Sequence, residues 1–243
     1  MNILLSNDDG YKALGIRVLE DVLSEAGHDV YVSAPDSEQS GKSHAMTIRG
    51  RIVVTEYAPK HFHVSGTPAD CIVYSHRCSL FPIPFDVVIS GINHGYNLST
   101  DIIYSGTCAA ARQAAFYGMK AIAISAEERD NEELFFRTAR FLVSDMDSFL
   151  GKIPGGAFMN INVPSSFSGG YEAGGMGEIS YNDTIAVRET HGDKRILEID
   201  SASLEYHPSQ TIYRADHEIC RSGKASVSII ETMPALSSAM ELL

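Results

Sequence analysis

An apolar run, Ile3-Leu4-Leu5, ends abruptly at Ser6-Asn7-Asp8-Asp9-Gly10, and Ile16, Leu19, Val22, Leu23 and Ala26 then recur at helical spacing until Gly27. A second short apolar run over 29–33 closes at Ala34-Pro35-Asp36. A strand, an amphipathic helix and a strand in that order constrain the fold more than any other feature. Two parallel strands need a crossover of a dozen or more residues, and the crossover helix covers a face of the sheet. The opening therefore predicts an α/β chain with a mostly parallel sheet. With 243 residues, 44% of them hydrophobic, there is length for one large α/β domain or a domain with an appendage.

The pattern continues along the chain. Gly66-Thr67-Pro68-Ala69-Asp70 carries a helix-start signal, with Thr67 as cap and Pro68 in the first turn, and predicts a helix to about residue 80. Strands are predicted over 86–90, 121–125 and 158–163, with an Ala-rich helix over 108–117 and an amphipathic helix over 131–150. Segments 47–57 and 62–65 read as an antiparallel excursion turning at 58–61. Residues 36–50 and 91–98 form polar loops after strand ends, where binding residues concentrate.

From Ser165 glycines punctuate the chain, and alternating segments around 179–187 and 195–199 predict a projecting β-arm. Residues 225–231 read as a strand returning to the sheet, and the last dozen form a tail with Leu and Met. The division expected is a core over 1–164 and an arm, returning strand and tail over 165–243. Exposed apolar hairpins and tails usually find a partner, so a homo-oligomer is expected; the alternative is that both fold back on their own domain.

The formal charge of −12 argues against a broad surface for a nucleic-acid polymer or an anionic membrane, although a local phosphate pocket remains compatible with it. Cys71, Cys78, Cys108 and Cys220 have no zinc-finger or CxxC spacing and read as small buried hydrophobes in a reducing compartment. The absence of a signal-like N-terminus and of a membrane-length apolar run points to the cytoplasm. Ser40-Gly41-Lys42-Ser43 imitates the end of a P-loop, but Asp36 stands where that motif needs glycine. No GxGxxG follows the first strand, and histidines 44, 63, 76 and 94 lack metalloprotease spacing.

Three predicted strand ends present oxygen ligands to one edge: Asp8 and Asp9, then Ser40, then Asn93. Adjacent carboxylates repel unless a cation holds them, and two carboxylates, a hydroxyl and an amide carbonyl suit magnesium or manganese. Each residue also has a simpler explanation: a polar turn at Asn7 to Gly10, a self-satisfied loop hydroxyl at Ser40, a left-handed turn at Asn93. Ser105-Gly106-Thr107 opens the Ala-rich helix, and there unpaired N–H groups and the dipole make an anion site, or Ser105 acts simply as the cap.

These segments resemble the SurE family, survival protein E. The resemblance rests on Ile3 to Gly10, Ala34-Pro35-Asp36 with Ser40-Gly41, Gly66-Thr67-Pro68-Ala69-Asp70-Cys71, Val88 to Gly95 with Asn97, and Tyr104-Ser105-Gly106-Thr107. It continues through Asn160-Ile161-Asn162-Val163-Pro164, and more loosely through Asp216, Gly223 and Ser226. It implies a Rossmann-like three-layer core and a 5′/3′-nucleotidase with one divalent metal ion per subunit. The ligands it implies are Asp8, Asp9, Ser40 and Asn93, with Asn97, Ser105, Gly106 and Thr107 around the substrate phosphate. It also implies homodimers or homotetramers held partly by an exchanged C-terminal segment.

The function expected is hydrolysis of nucleoside 5′- and 3′-monophosphates, with short polyphosphate as a further candidate substrate. Asp8 or Asp9 accepts the proton of the attacking water, or Asp8 is itself the nucleophile. The rival readings are a non-enzymatic receiver-like phosphate or metal-binding module, and a scaffold acting through the arm and tail. A receiver needs an aspartate at its third strand end, where this chain has Ser90 leading to Asn93.

Overall fold

The structure, a computed structural model, describes residues 1–78 and 80–233. In chain order the elements are β1 (Asn2–Ser6), α1 (Leu14–Glu25), β2 (Asp29–Pro35), β3 (Val54–Ala58), β4 (His61–Val64), α2 (Pro68–Arg77) and β5 (Val87–His94). Then follow α3 (Asp101–Tyr104), α4 (Gly106–Phe116), β6 (Ala121–Ala126), α5 (Glu132–Lys152), β7 (Ala157–Val163) and β8 (Tyr171–Ala173). The last are β9 (Glu178–His191), β10 (Lys194–His207), α6 (Asp216–Arg221) and β11 (Ala225–Glu231).

Successive residues of a strand point to opposite faces of its sheet, so Ile3 and Leu5 enter one buried cluster and Leu4 the other. The first cluster is closed by Ile16, Leu19 and Leu23 of α1 and by Leu134, Phe135, Leu142 and Phe149 of α5. The second is closed by Ile72 of α2 and by Cys108, Ala110, Ala111 and Ala114 of α4. Both faces of the central sheet are thereby covered, which is why β1, β2, β5, β6 and β7 read as nearly unbroken apolar runs. Each large side chain fully buried this way contributes roughly 1.5–3 kcal/mol.

Nine strands form one sheet in the order β3-β4-β2-β1-β5-β6-β7-β11-β8. Strands β4, β2, β1, β5, β6 and β7 run parallel to their neighbours; β3 and β11 pair antiparallel with β4 and β7, and β8 lies parallel to β11. The chain passes from β1 to β2 on one side and returns to β5 on the other. In an open α/β sheet such a reversal leaves a crevice at the carboxyl ends of the two strands, where ligands bind.

The expected three-layer α/β core is thus present, and β9 and β10 form the separate two-stranded arm. On the arm Ile185, Val187, Ile196, Leu197 and Ile199 are all exposed. Several boundaries differ from the sequence reading. The strand predicted over 47–57 begins only at Val54, because Thr47 donates its N–H and hydroxyl to Asp70 at 2.9 and 2.8 Å. The same Asp70 forms the capping box with Thr67 that starts α2. That helix ends at Arg77, not near residue 80.

Strand β5 runs on through Gly91 to His94, where a polar loop was expected. Its ladder with β6 is irregular between Ser90 and Asn93, and Gly91 there has φ +139°. A Cβ on Gly91 would lie 2.2 Å from the Ile124 carbonyl oxygen, so the glycine marks a close approach inside the strand and not its end. The short α3, β8 and α6 were not foreseen, since three to six residues carry no measurable periodicity. Cys71, Cys108 and Cys220 are free and buried, whereas Cys78 is exposed, contrary to expectation. Most of the terminal tail expected to assist assembly lies outside the described residues. Among the described residues no helix is long and apolar enough to cross a membrane.

Candidate active site

A cavity of about 650 Å³ opens at the carboxyl ends of β1 and β5, and Asp8, Ser40, Asn93, Asn97 and Ser105 line it. These five residues lie in four separate segments of the sequence, and tertiary structure brings them to one crevice. Asp9 lines the adjoining cavity instead, and His94 and Arg129 border both.

Asp8 is buried, 4% exposed, at the end of β1. The Thr107 hydroxyl donates to its Oδ1, and the backbone N–H groups of Gly106 and Thr107 also act on the carboxylate. The first turn of α4 is therefore aimed at Asp8, whose negative charge suits the positive end of a helix. Burial nonetheless raises the Asp8 pKa, outweighing those hydrogen bonds. Asp9 is pushed up to about 7, first by burial and then by the charge of Asp8. The His94 N–H donates to its Oδ2 at 3.3 Å.

The His94 ring is fixed on three sides. It stacks on Phe135 at 5.1 Å, its Nε2 accepts the Gly15 N–H at 3.3 Å, and its Nδ1 lies 3.9 Å from Asp9. With Nε2 accepting, the proton of the neutral ring belongs on Nδ1 facing the carboxylates. Burial lowers the His94 pKa, so the ring supplies little positive charge to the pair.

Asn93 donates its amide to the Gly95 carbonyl at 2.7 Å, leaving Oδ1 turned toward the Thr107 hydroxyl, 3.4 Å away. Ser40 is on the exposed rim and its hydroxyl donates to Glu38 Oε1 at 2.9 Å. Its loop is tied to the site through the Gln39 N–H, which donates to the Asp8 carbonyl at 2.7 Å. Ser105 caps α4 by accepting the Cys108 N–H at 3.0 Å. The cap and the helix-end roles considered for this segment are thus compatible.

Asn97 is held by a polar clamp that the sequence reading did not identify. Its N–H donates to Asn162 Oδ1 at 2.8 Å, and its carbonyl accepts from Asn160 at 2.8 Å and Asn162 at 3.0 Å. Its side-chain amide donates to Ser125 at 2.9 Å. Two residues on, the carboxylate of buried Asp216 accepts the Ser99 N–H at 2.6 Å and the Ser99 hydroxyl at 2.5 Å. Asn160 and Asn162 stand at alternate positions of an otherwise apolar strand. Buried amides spaced by two must find partners on one sheet face, and that signal was available in the sequence.

No three of His, Cys, Asp and Glu gather as a metal cage among the described residues. The candidate set is instead the mixed one of Asp8, Asp9 and the Asn93 carbonyl oxygen, with the Ser40 hydroxyl at the rim. No Lys or Arg among the described residues lies within 4 Å of either carboxylate. One buried and one half-buried carboxylate, both with raised pKa and beside an amide oxygen, fit a hard divalent cation that would relieve their repulsion.

Gly106 leaves no room for a side chain. A Cβ there would lie 2.8 Å from the Asp8 Cβ and 2.9 Å from its Oδ2. Gly106→Ala is expected to displace Asp8, to lower turnover at least tenfold and to lower the thermal midpoint by a few degrees, since overpacking a buried site costs about 1–3 kcal/mol. A variant that keeps full turnover would show that the Asp8 position is not critical.

The family profile described as Survival protein SurE matches residues 3–183. A protein of an Anaeromyxobacter species named 5′-nucleotidase SurE is 37% identical over 196 residues, covering 80% of this chain and 76% of the relative. Another of that name from Vibrio campbellii is 43% identical over 164 residues, covering 68% of this chain and 62% of the relative. The crystal structure of SurE protein from Aquifex aeolicus superposes with a TM-score of 0.83 at 29% identity, covering 100% of this chain and 98% of that one.

Proposed function

Because the chain belongs to the SurE family, we infer that it is a phosphomonoesterase that hydrolyses nucleoside monophosphates in the crevice between β1 and β5. The observation that carries this reading is buried Asp8 facing the first turn of α4, with half-buried Asp9 beside it, both held above the ordinary carboxylate pKa and with no Lys or Arg among the described residues within 4 Å. Such a pair attracts a divalent ion and, through it, an anion, whereas a receiver-like signalling module needs an aspartate at its third strand end, where this chain has Ser90 leading to Asn93.

Asp8, Asp9 and Asn93, with Ser40 from the rim, hold one divalent ion per subunit, magnesium or manganese. When bound, that ion supplies Lewis acidity and charge neutralisation to the phosphoryl group. Ser105 and Asn97 bind phosphate oxygens from the opposite wall, assisted by the Gly106 and Thr107 end of α4. Positioning and electrostatics of this kind dominate phosphoryl transfer. Water attacks phosphorus, one carboxylate of the pair takes its proton, and the nucleoside oxygen leaves and is protonated from solvent. Asp8 is the better placed acceptor, since it lines the central cavity.

Both 5′- and 3′-monophosphates, and short polyphosphate, are proposed substrates, and the cytoplasm is the proposed compartment. Phosphate release from a panel of nucleoside monophosphates with magnesium or manganese tests the reading. Release that depends on the metal supports it, and none with any metal overturns it.

The apolar arm is proposed to join copies into a homodimer or homotetramer. Light scattering coupled to size exclusion is expected to give two or four times the 26.4 kDa chain mass. A monomer at micromolar concentration would leave the arm without that role.

A further inference from the structure

The cavity that holds Asp8 is much larger than a phosphate group, and its outer part has a different chemistry. There Tyr104, Tyr181, Asp101 and Asp183 line it, with Arg129 the single cation among its lining residues. Tyr181 and Asp183 come from β9, so the root of the projecting arm forms one wall of the crevice. That root is fixed to the core at Thr100, whose hydroxyl donates to the Ile179 carbonyl and accepts the Ile179 N–H, each at 3.1 Å. The Tyr181 hydroxyl donates to Asp101, yet the side chain remains 42% exposed, leaving ring surface open to a ligand.

Carboxylates repel a phosphate but accept hydrogen bonds from sugar hydroxyls, and an exposed ring offers a stacking face that every base can use. We propose that the arm root is the nucleoside subsite of this chain, with the Tyr181 ring stacking on the base and Asp101 and Asp183 accepting the sugar hydroxyls. The proposal rests on the nucleotidase reading and adds to it two carboxylates that hold the sugar and one ring, Tyr181, that distinguishes a nucleotide from a bare sugar phosphate.

The test compares kcat/KM for adenosine 5′-monophosphate with that for ribose 5-phosphate, which lacks the base. In Tyr181→Ala the ratio is expected to fall about tenfold, carried mainly by KM, while Tyr181→Phe, which keeps the ring and loses the tie to Asp101, stays within threefold of the wild type. A ratio within twofold of wild type in Tyr181→Ala overturns the proposal. So does an equal collapse in Tyr181→Phe, because the residue would then act only as a structural tie.

Calorimetric binding of the uncleavable 5′-methylenephosphonate analogue of the nucleotide separates this from the activity itself. Binding tenfold weaker in Tyr181→Ala supports the subsite even if no variant turns over, in which case only the nucleotidase reading fails. Equal affinity in both proteins overturns the subsite whatever the turnover.

Discussion

Asp9→Asn is expected to cut metal-dependent phosphate release from a nucleoside monophosphate by about a thousandfold, ~4 kcal/mol in the barrier, while the protein stays folded. The substitution keeps the shape of the side chain and removes one of the two negative charges proposed to hold the metal. It also removes the carboxyl group that burial and the charge of Asp8 together push up to about 7. Without metal, the variant is therefore expected to be at least as stable as the wild type. A site that loses activity while the fold gains stability is the signature of charge repulsion kept for function. Retained activity in Asp9→Asn would remove Asp9 from the metal site, and a collapsed circular dichroism spectrum would show the residue to be structural.

Manganese is expected to raise the thermal midpoint of the wild type by several degrees and to leave Asp9→Asn nearly unmoved. A ligand at a hundred times its dissociation constant stabilises by about 2.7 kcal/mol, and about 2–4 °C per kcal/mol is usual for a chain of this size. The pH dependence follows from the same pair. Below the ordinary carboxylate pKa both folded and unfolded states carry the protons, so nothing is lost. As pH rises from about 4 to 7 the unfolded chain releases the Asp9 proton while the folded chain retains it, and stability falls, on the order of 2–4 kcal/mol for chelator-treated protein. Burial of Asp8 acts in the same direction. The loss is complete above pH 7, and saturating manganese is expected to reverse it. His28, His44, His94 and His217, whose pKa values burial lowers, act in the opposite direction, so the pair is read from Asp9→Asn: a chelated variant whose midpoint follows pH from 4 to 7 as the wild type does would contradict it.

Assembly, if it occurs through the arm, bears on these measurements. The arm root that carries Tyr181 and Asp183 is also the base of the hairpin that exposes Ile185, Val187, Ile196 and Ile199. A contact that bends the hairpin would act on the crevice through the Thr100 and Asp101 hydrogen bonds.

Much of the fold was legible because it is written locally. Buried parallel strands are short continuous apolar runs, and the helices between them carry their own stop and start residues, such as Gly27 and the Thr67 and Asp70 capping box. Where local rules failed, a tertiary contact had overridden them. Gly91 resembled a strand end and is a close approach to Ile124, and Thr47 resembled the start of a strand and is bound to Asp70.

The chain by itself determined that Asp8, Asp9, Ser40 and Asn93 fall at the ends of predicted strands, because strand ends are set by nearest neighbours and hydrophobic periodicity. Only the tertiary structure decided which of them meet. It put Asp9 in an adjoining cavity, turned the Ser40 hydroxyl to Glu38, and aimed the start of α4 at Asp8. It also fixed the Asn97 loop through Asn162, 65 positions away, and Asp216, 117 positions from Ser99. Contacts at such separations depend on strand order and register, which no window along the chain contains.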